Sequence, residues 1–283
     1  MTPAFSTVAC PEWTLSAVFE HAATFGFGAV ELRTFGDASR AFACEPAHTA
    51  PEKIREWSGR FGVKVASLGT SCRFDEPIFP PIVGSAISDV DRTVRIACHA
   101  VTLAATIECP LVRVFGFEFP SSEGRKSGDA RIIERLAKVV DHAHRTGVSV
   151  MIENGGSYPT GQSLMPLIRT INSPLLGACL NTASAGAAGE SPAGGIASLG
   201  SALMAVRVKD LRAGRPCPLG EGDVPVASAM AALRAARFTG PVIFEWDRAW
   251  MPDLAHAQAV LPRAARFLHE AAATATAAAH AAA

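Results

Sequence analysis

Val148-Ser149-Val150-Met151-Ile152-Glu153-Asn154 decides how this chain is read. An apolar run of strand length carries one carboxylate, Glu153, near its far end, and Gly155 and Gly156 follow at once. A second stretch answers it: Pro241-Val242-Ile243-Phe244-Glu245-Trp246-Asp247, with Glu245 in the matching place. Short apolar runs bounded by turn residues mark strands buried on both faces. Two such strands, each lifting an acid out of its end, predict two carboxylates facing one pocket.

Outward from these strands the same unit repeats. A strand at 5–9 precedes Thr14, which caps a helix with Leu15, Val18, Phe19, Ala22 and Ala23 at helical spacing. Gly26 and Gly28 end it before a strand at 29–33. Helices at about 50–60, 88–106 and 129–145 alternate with strands at 63–68, 111–115 and 148–154. Helices near 162–171, 192–201 and 224–237 then alternate with strands at 175–181, 203–209 and 242–246, and a last helix starts near 253. Eight strands, each followed by a helix, predict an α/β protein: a single-domain (β/α)8 TIM barrel over residues 1–270. An open doubly wound sheet is the rival, and it gives no reason for the even count of eight. The Ala-rich stretch 271–283 is expected to be a frayed helix or a disordered tail.

Composition narrows the partners. The chain has 283 residues, 49% hydrophobic and 18% charged, enough for one large core. Its 26 basic and 26 acidic residues cancel and form no Lys/Arg-rich run, which argues against a nucleic-acid partner. No apolar run reaches the roughly 18 residues of a membrane span, so no membrane partner is expected. Seven cysteines, odd in number and without a CxxC pair, follow a start with no signal-peptide pattern. They are expected to be reduced thiols of a cytoplasmic protein.

A barrel places its chemistry at the C-terminal ends of the strands and in the loops beyond. Polar residues on otherwise apolar strands are therefore expected to point into that mouth: Glu31, Arg33, Arg113, Glu153, Asn181, Arg207, Lys209, Glu245 and Asp247. Glu31 with Arg33, Arg207 with Lys209, and Glu245 with Asp247 are two apart, hence on one side of their strands. The plainer reading of the same residues is an ion-pair network that closes the barrel. Trp13, Phe115, Tyr158, Trp246 and Trp250 fall on loops or strand ends, and Trp13 and Trp250 are taken as substrate-binding. Cys10 and Cys72 are read as small apolar filling near the mouth. The Gly/Ala/Ser-rich stretch 183–200 is the candidate lid, or else a plain flexible connection. In Gly220-Glu221-Gly222-Asp223, a loose phosphate-loop likeness yields to Asp223 as the N-cap of the helix beginning near Pro225.

With these motifs in order, the chain resembles the xylose isomerase-like TIM-barrel family of sugar isomerases and epimerases over nearly its whole length. The carriers are Val-Glu-Leu-Arg at 30–33, Met-Ile-Glu-Asn at 151–154 and Val-Arg-Val-Lys-Asp at 206–210. Leu-Gly-Glu-Gly-Asp-Val-Pro at 219–225 and Phe-Glu-Trp-Asp-Arg-Ala-Trp at 244–250 complete them. The resemblance implies one divalent metal (manganese, magnesium, zinc or cobalt) held by Glu, Asp, His and Glu, and a homodimer or homotetramer. Position by position, the first Glu is Glu153 and the last is Glu245. The Asp position holds Asn181 and the His position Arg207. A nearby family His is Ser184 here, and a His-Pro is Met251-Pro252.

An amide oxygen is a poorer ligand than a carboxylate, and a guanidinium does not coordinate at all. The histidines at 21, 99, 142, 144, 256, 269 and 280 fall on predicted helices, and only His48 lies in a strand-to-helix loop. No metal is therefore expected; if one binds, its ligands are Glu153, Asn181 and Glu245. Arg207 is expected to stand in for the metal's charge. The expected chemistry is proton transfer next to a carbonyl on a small polar substrate, sugar-like or a hydroxy or keto acid. Glu153 and Glu245 move the proton and Arg207 stabilises an enolate oxygen. Asn181, Lys209, Arg33, Arg113 and Glu31 complete the expected substrate-binding set. The alternatives are a lyase or dehydratase on the same scaffold, and a catalytically inactive ligand-binding barrel.

Overall fold

A cylinder closes because strands this apolar on both faces cannot end at an open edge. The computed structural model describes residues 1–76, 91–116 and 118–273. Its strands are β1 (Thr2–Ser6), β2 (Ala29–Arg33), β3 (Lys64–Arg73), β4 (Leu111–Phe115), β5 (Ser149–Glu153), β6 (Leu176–Asn181), β7 (Leu203–Val208), β8 (Asp210–Arg212), β9 (Arg215–Cys217) and β10 (Pro241–Phe244). The barrel runs β1 through β7, then β10, and closes back on β1 through Thr2 opposite Pro241. The eight barrel strands are parallel. The expected single-domain (β/α)8 barrel is what forms.

Helices cover the outside: α1 (Leu15–Phe25), α2 (Pro51–Phe61), α3 (Arg92–Thr106), α4 (Arg125–Ala143), α5 (Gly161–Ile171), α6 (Thr182–Ala187), α7 (Pro192–Leu199), α8 (Val226–Ala235) and α9 (Ala257–Ala273). Thr14 caps α1 by accepting from the Ala17 amide at 3.4 Å, and Gly26 ends it at φ +87°. The expected first residues of α3, at 88–90, and tail residues 274–283 lie outside the described residues.

Three local readings are corrected. β1 begins three residues earlier than expected, and β10 stops at Phe244, so Glu245 stands just past the strand. The Glu245 amide still donates to Val208 O at 3.0 Å, which continues the ladder. The stretch 183–200 is not an irregular loop, because it forms most of α6 and all of α7. Asn181 caps α6, Ser191 caps α7, and the intervening Glu190 carboxylate accepts from Gly161 N (2.7 Å) and Gln162 N (3.1 Å), pinning the turn to the start of α5.

Strict alternation also breaks once, after β7, where β8 and β9 form a hairpin. Asp210, buried, organises it. Its carboxylate accepts from the amides of Leu211, Gly220, Gly222 and Val224 at 2.9–3.1 Å. Those amides are thereby spent, so the stretch 220–223 has no free cradle for a phosphate. Gly222 is required, since a Cβ there would lie 2.2 Å from Asp210 Oδ1. Asp223 is not the helix cap; Pro225 holds that place, and Asp223 accepts from the Ala213 amide at 3.4 Å.

Inside the barrel, the lower layer is small. Ala4, Ala29, Ala66, Met151, Cys179, Ala205 and Ile243 form a cluster separate from the main core under the helices. Barrel interiors are usually filled by layers of bulky branched residues. Four alanines in this layer leave volume for the long side chains above it.

Asp210→Ala strands four backbone donors. It is expected to cost roughly 3 kcal/mol of stability, read as a lower midpoint in urea unfolding, and an unchanged midpoint would refute the staple.

Candidate active site

Strand register brings the charged residues together in adjoining levels at the C-terminal end. Glu31 lies opposite Ser67, Arg113 opposite Met151 and Gly69, Glu153 opposite Phe115, and Asn181 opposite Arg207. Arg207 is at the centre. Its Nη1 donates to Glu31 Oε1 at 2.7 Å, its Nη2 donates to Glu245 Oε2, and its Nε lies 3.7 Å from Glu153 Oε2. Arg113 lies beside it, with Nη1 2.9 Å from Glu153 Oε2 and Nε 3.4 Å from Glu31 Oε2. Asn181 Nδ2 donates to Glu153 Oε1 at 2.8 Å. Toward the mouth, Lys209 Nζ bridges Glu245 Oε1 at 2.8 Å and Asp247 Oδ2 at 2.9 Å.

Burial sorts this cluster by depth. The Glu31 side chain is 0% exposed, whereas those of Glu245 and Asp247 are 14% exposed and that of Lys209 is 20% exposed. Glu31 and Arg113 were expected to touch substrate, but they are enclosed. Both Glu31 oxygens are occupied, by Arg207 on one side and by Arg113 and Ser67 on the other. Arg207 is enclosed as well, and all three of its nitrogens face carboxylates. It therefore does not sit symmetrically between two acids: Glu31 and Glu245 are its near partners, and Arg113 is the nearer cation to Glu153.

Arg33 folds against its own neighbourhood, donating to Thr34 O (2.7 Å), Gly69 O (3.1 Å) and Ser71 Oγ (2.9 Å). Trp13 is not in the mouth at all; it is buried in the helical layer against His21, with ring centroids 4.4 Å apart. Trp250 is 50% exposed and packs edge-on to Phe35 and Phe42. Phe35 in turn lies 5.9 Å from the Arg33 guanidinium. Cys10 and Cys72 are buried, and burial pushes both thiols up, Cys10 far above the usual range. Such thiols are poor nucleophiles.

The electrostatics follow from crowding opposite charges in a dry space. Burial raises Glu31, but Arg207 and Arg113 outweigh it and hold the carboxyl at about 2. At Glu245 burial again raises, and Arg207 and Lys209 overcome it, so the carboxyl lies well below its usual range. Arg207 is driven the other way: burial opposes its charge, yet Glu245, Glu31 and Glu153 raise it well above normal. Lys209 is likewise raised against burial by Glu245 and Asp247. Asp247 is the exception among the acids, pushed up to about 6 by burial and by Glu245. Arg33 falls to about 9 through burial and the nearby Arg113.

Two residues that hold this arrangement were not read from the sequence. Ser67 Oγ donates to Glu31 Oε2 at 3.1 Å, and Gly69 is the point where Arg113 and Glu31 pass closest to the backbone. An isolated glycine inside the β3 pattern was the available signal, because it marks a close approach. A cavity of about 680 Å3 opens at the opposite end of the barrel, lined by strand starts such as Thr2, Lys64, Leu111 and Pro241. No member of the charged cluster lines it.

A barrel with a polar cluster at its C-terminal mouth defines the architectural class. Residues 19–271 match the xylose isomerase-like TIM barrel family, and the chain belongs to it. No curated protein matches by sequence. Among solved structures, it is similar to L-ribulose 3-epimerase, with TM-score 0.81 and 16% identity over 99% of this chain and 97% of that one. It is also similar to the IolI protein with a zinc atom bound: TM-score 0.78, 13% identity, 97% and 99% coverage. A third is the probable 3-DHS dehydratase AsbF from Bacillus anthracis: TM-score 0.76, 14% identity, 95% and 99% coverage. At such identities the likeness shows the fold.

The residues present do not fit the metal that the family implies. Glu153 faces two guanidinium groups, and Glu245 is clamped by Arg207 and Lys209. Asn181 spends its Oδ1 on the Ser184 amide and its Nδ2 on Glu153. Among the described residues, no three His, Cys, Asp or Glu side chains gather as a metal site. A divalent ion placed between Glu153 and Glu245 would meet the Arg207 guanidinium.

Glu31 supplies the clearest pH signature. Its folded value of about 2 lies below its ordinary 4.5, so its contribution is full above about pH 4.5 and is lost as pH falls toward 2. The shift corresponds to about 3 kcal/mol. Unfolding free energies measured between pH 6 and pH 2 are expected to fall more gently in Glu31→Gln than in the parent, and parallel curves would contradict the assignment.

Proposed function

We propose that this protein is an isomerase- or epimerase-like enzyme that transfers a proton at carbon next to a carbonyl, on a small polar substrate. The supporting observation is the pair of acids on β5 and just after β10, each set against a fixed cation. Glu153 Oε1 is held by Asn181. Its Oε2 has no hydrogen-bond partner among the described residues, because the Arg113 contact is off the bonding direction. That oxygen is buried beside Arg113 and Arg207, and in this reading it takes the proton once substrate displaces those contacts. Glu245 and Asp247 lie nearer the mouth and suit its return.

Arg207 keeps the electrostatic part of the earlier expectation but not the contact part. Enclosed by carboxylates, it sets their charge and aim, while Lys209, at 20% exposure, is the cation offered to a developing enolate oxygen. The names of the structural neighbours, two sugar 3-epimerases and a probable dehydratase, are compatible with this reading. We place the enzyme in the cytoplasm, where its seven free cysteines stay reduced; the resemblance implies a homodimer or homotetramer.

One observation favours a second reading. The inner carboxylates are already neutralised by cations, and an acid held as low as Glu245 is a weak base. A barrel that binds a small ligand without chemistry would tolerate both features.

Solvent deuterium separates the two. Incubation in heavy water with a panel of ketoses and hydroxy acids is expected to label carbon next to the carbonyl of at least one of them. Glu153→Gln and Glu245→Gln are each expected to lower that exchange by about 10²-fold or more, with an unchanged far-ultraviolet circular dichroism spectrum. Near-normal exchange in both variants would end the proton-transfer reading. Saturable binding without exchange would establish the binding barrel.

A further inference from the structure

We infer that Glu31 is a positioning residue. It is the buried anion that sets the two guanidinium groups, and through them the two acids, without reaching a substrate. Glu31 is the one acid in direct contact with both arginines by way of different oxygens, Arg207 Nη1 at Oε1 (2.7 Å) and Arg113 Nε at Oε2 (3.4 Å). Each arginine then extends a different nitrogen to a different acid: Arg207 Nη2 to Glu245, and Arg113 Nη1 to Glu153 at 2.9 Å. By the shortest contacts the order is Glu153, Arg113, Glu31, Arg207, Glu245, and a longer contact from Arg207 Nε to Glu153 Oε2 (3.7 Å) closes the inner four into a ring.

The surroundings are built for this arrangement. Ser67 fixes the Glu31 carboxylate from β3, donating to Oε2 at 3.1 Å. The backbone of Gly69 leaves only enough room: a Cβ there would lie 2.8 Å from Arg113 Nη2 and 3.1 Å from Glu31 Cδ. The Arg113 guanidinium is braced on its other side by the Phe115 ring, 4.4 Å to the centroid. Two guanidinium groups sharing one dry space repel unless an anion lies between them. Without Glu31, Glu153 Oε2 is the one carboxylate oxygen left near both arginines, at 2.9 Å from Arg113 and 3.7 Å from Arg207. On this inference it does not hold both groups, and with them Glu245 and Glu153, in place.

Two variants that perturb the arrangement by different means test this. Glu31→Gln removes the charge and keeps the shape. Gly69→Ala removes no charge and no side-chain hydrogen bond, but its methyl group must displace Arg113. Glu31→Asp keeps the charge on a shorter arm. The first readout needs no substrate: in protein labelled with 15N-arginine, buried paired guanidinium groups give slowly exchanging Nη–Hη signals. The parent is expected to show such signals from Arg207 and Arg113, told apart from those of the other buried arginines, Arg33 and Arg135, by their loss in Arg207→Lys and Arg113→Lys. They are expected to be lost in Glu31→Gln and Gly69→Ala and partly regained in Glu31→Asp. The second readout rests on the proton-transfer reading. With any substrate that exchanges deuterium, kcat is expected to fall by about tenfold or more while KM stays within about twofold.

Arg207 and Arg113 signals that persist in folded Gly69→Ala and Glu31→Gln would overturn the inference. A rise in KM with kcat intact would also overturn it, because it would mean that Glu31 contacts substrate. If the parent exchanges no substrate, the functional reading fails, and the arginine signals alone decide the positioning role.

Discussion

A guanidinium enclosed inside a β-barrel is tolerable only if carboxylates surround it, and the upper half of this barrel is arranged to meet that condition. Removing a buried charge's partner costs about 3–5 kcal/mol, so the cluster around Arg207 acts as a unit. Four carboxylates (Glu31, Glu153, Glu245, Asp247) face four cations (Arg33, Arg113, Arg207, Lys209), and the depth of each fixes its part. The deepest, Glu31, is a permanent counter-ion. The outermost, Lys209, Glu245 and Asp247, retain solvent contact. The small lower layer of Ala4, Ala29, Ala66 and Ala205 belongs to the same constraint, since it leaves space for two arginines inside a cylinder that bulky residues usually fill.

The hairpin beside this cluster is held independently of it. Asp210 and Gly222 maintain the β8–β9 hairpin whatever occupies the mouth, because they act on backbone amides. Glu153 and Glu245 also remain, now oriented by nitrogen donors. A guanidinium supplies a fixed positive charge and directional hydrogen bonds, whereas a divalent ion supplies charge and open coordination positions. In the proposed reading, Arg207 in place of a divalent ion would preserve the electrostatics of an acid pair and give up Lewis-acid contact with the substrate at that point.

Much of this was legible from the sequence, for identifiable reasons. Strands such as 148–154 and 241–247 state the barrel because their apolar length and terminal acids are local properties. The gathering of Glu31, Arg113, Glu153, Arg207 and Glu245 followed from one rule, that polar groups on buried strands point inward. What that rule omits is depth. It says which face a residue occupies and not how far along the axis its side chain ends, so Glu31 and Arg113 were taken for substrate contacts. Trp13 was misplaced for a related reason: a loop position near a strand end does not say whether the ring turns to the mouth or to the helices. The stretch 183–200 misled because Gly and Ala say little about order, whereas its caps, Asn181, Ser191 and Glu190, carried the information.

The most direct test is the metal content of purified protein after incubation with manganese, zinc, cobalt or magnesium and removal of excess ion, for the parent and for Arg207→Ala. The account predicts no stoichiometric metal in the parent, whose acids are already neutralised by guanidinium groups. One tightly held divalent ion per chain in the parent, lost on Glu153→Gln or Glu245→Gln, would contradict it.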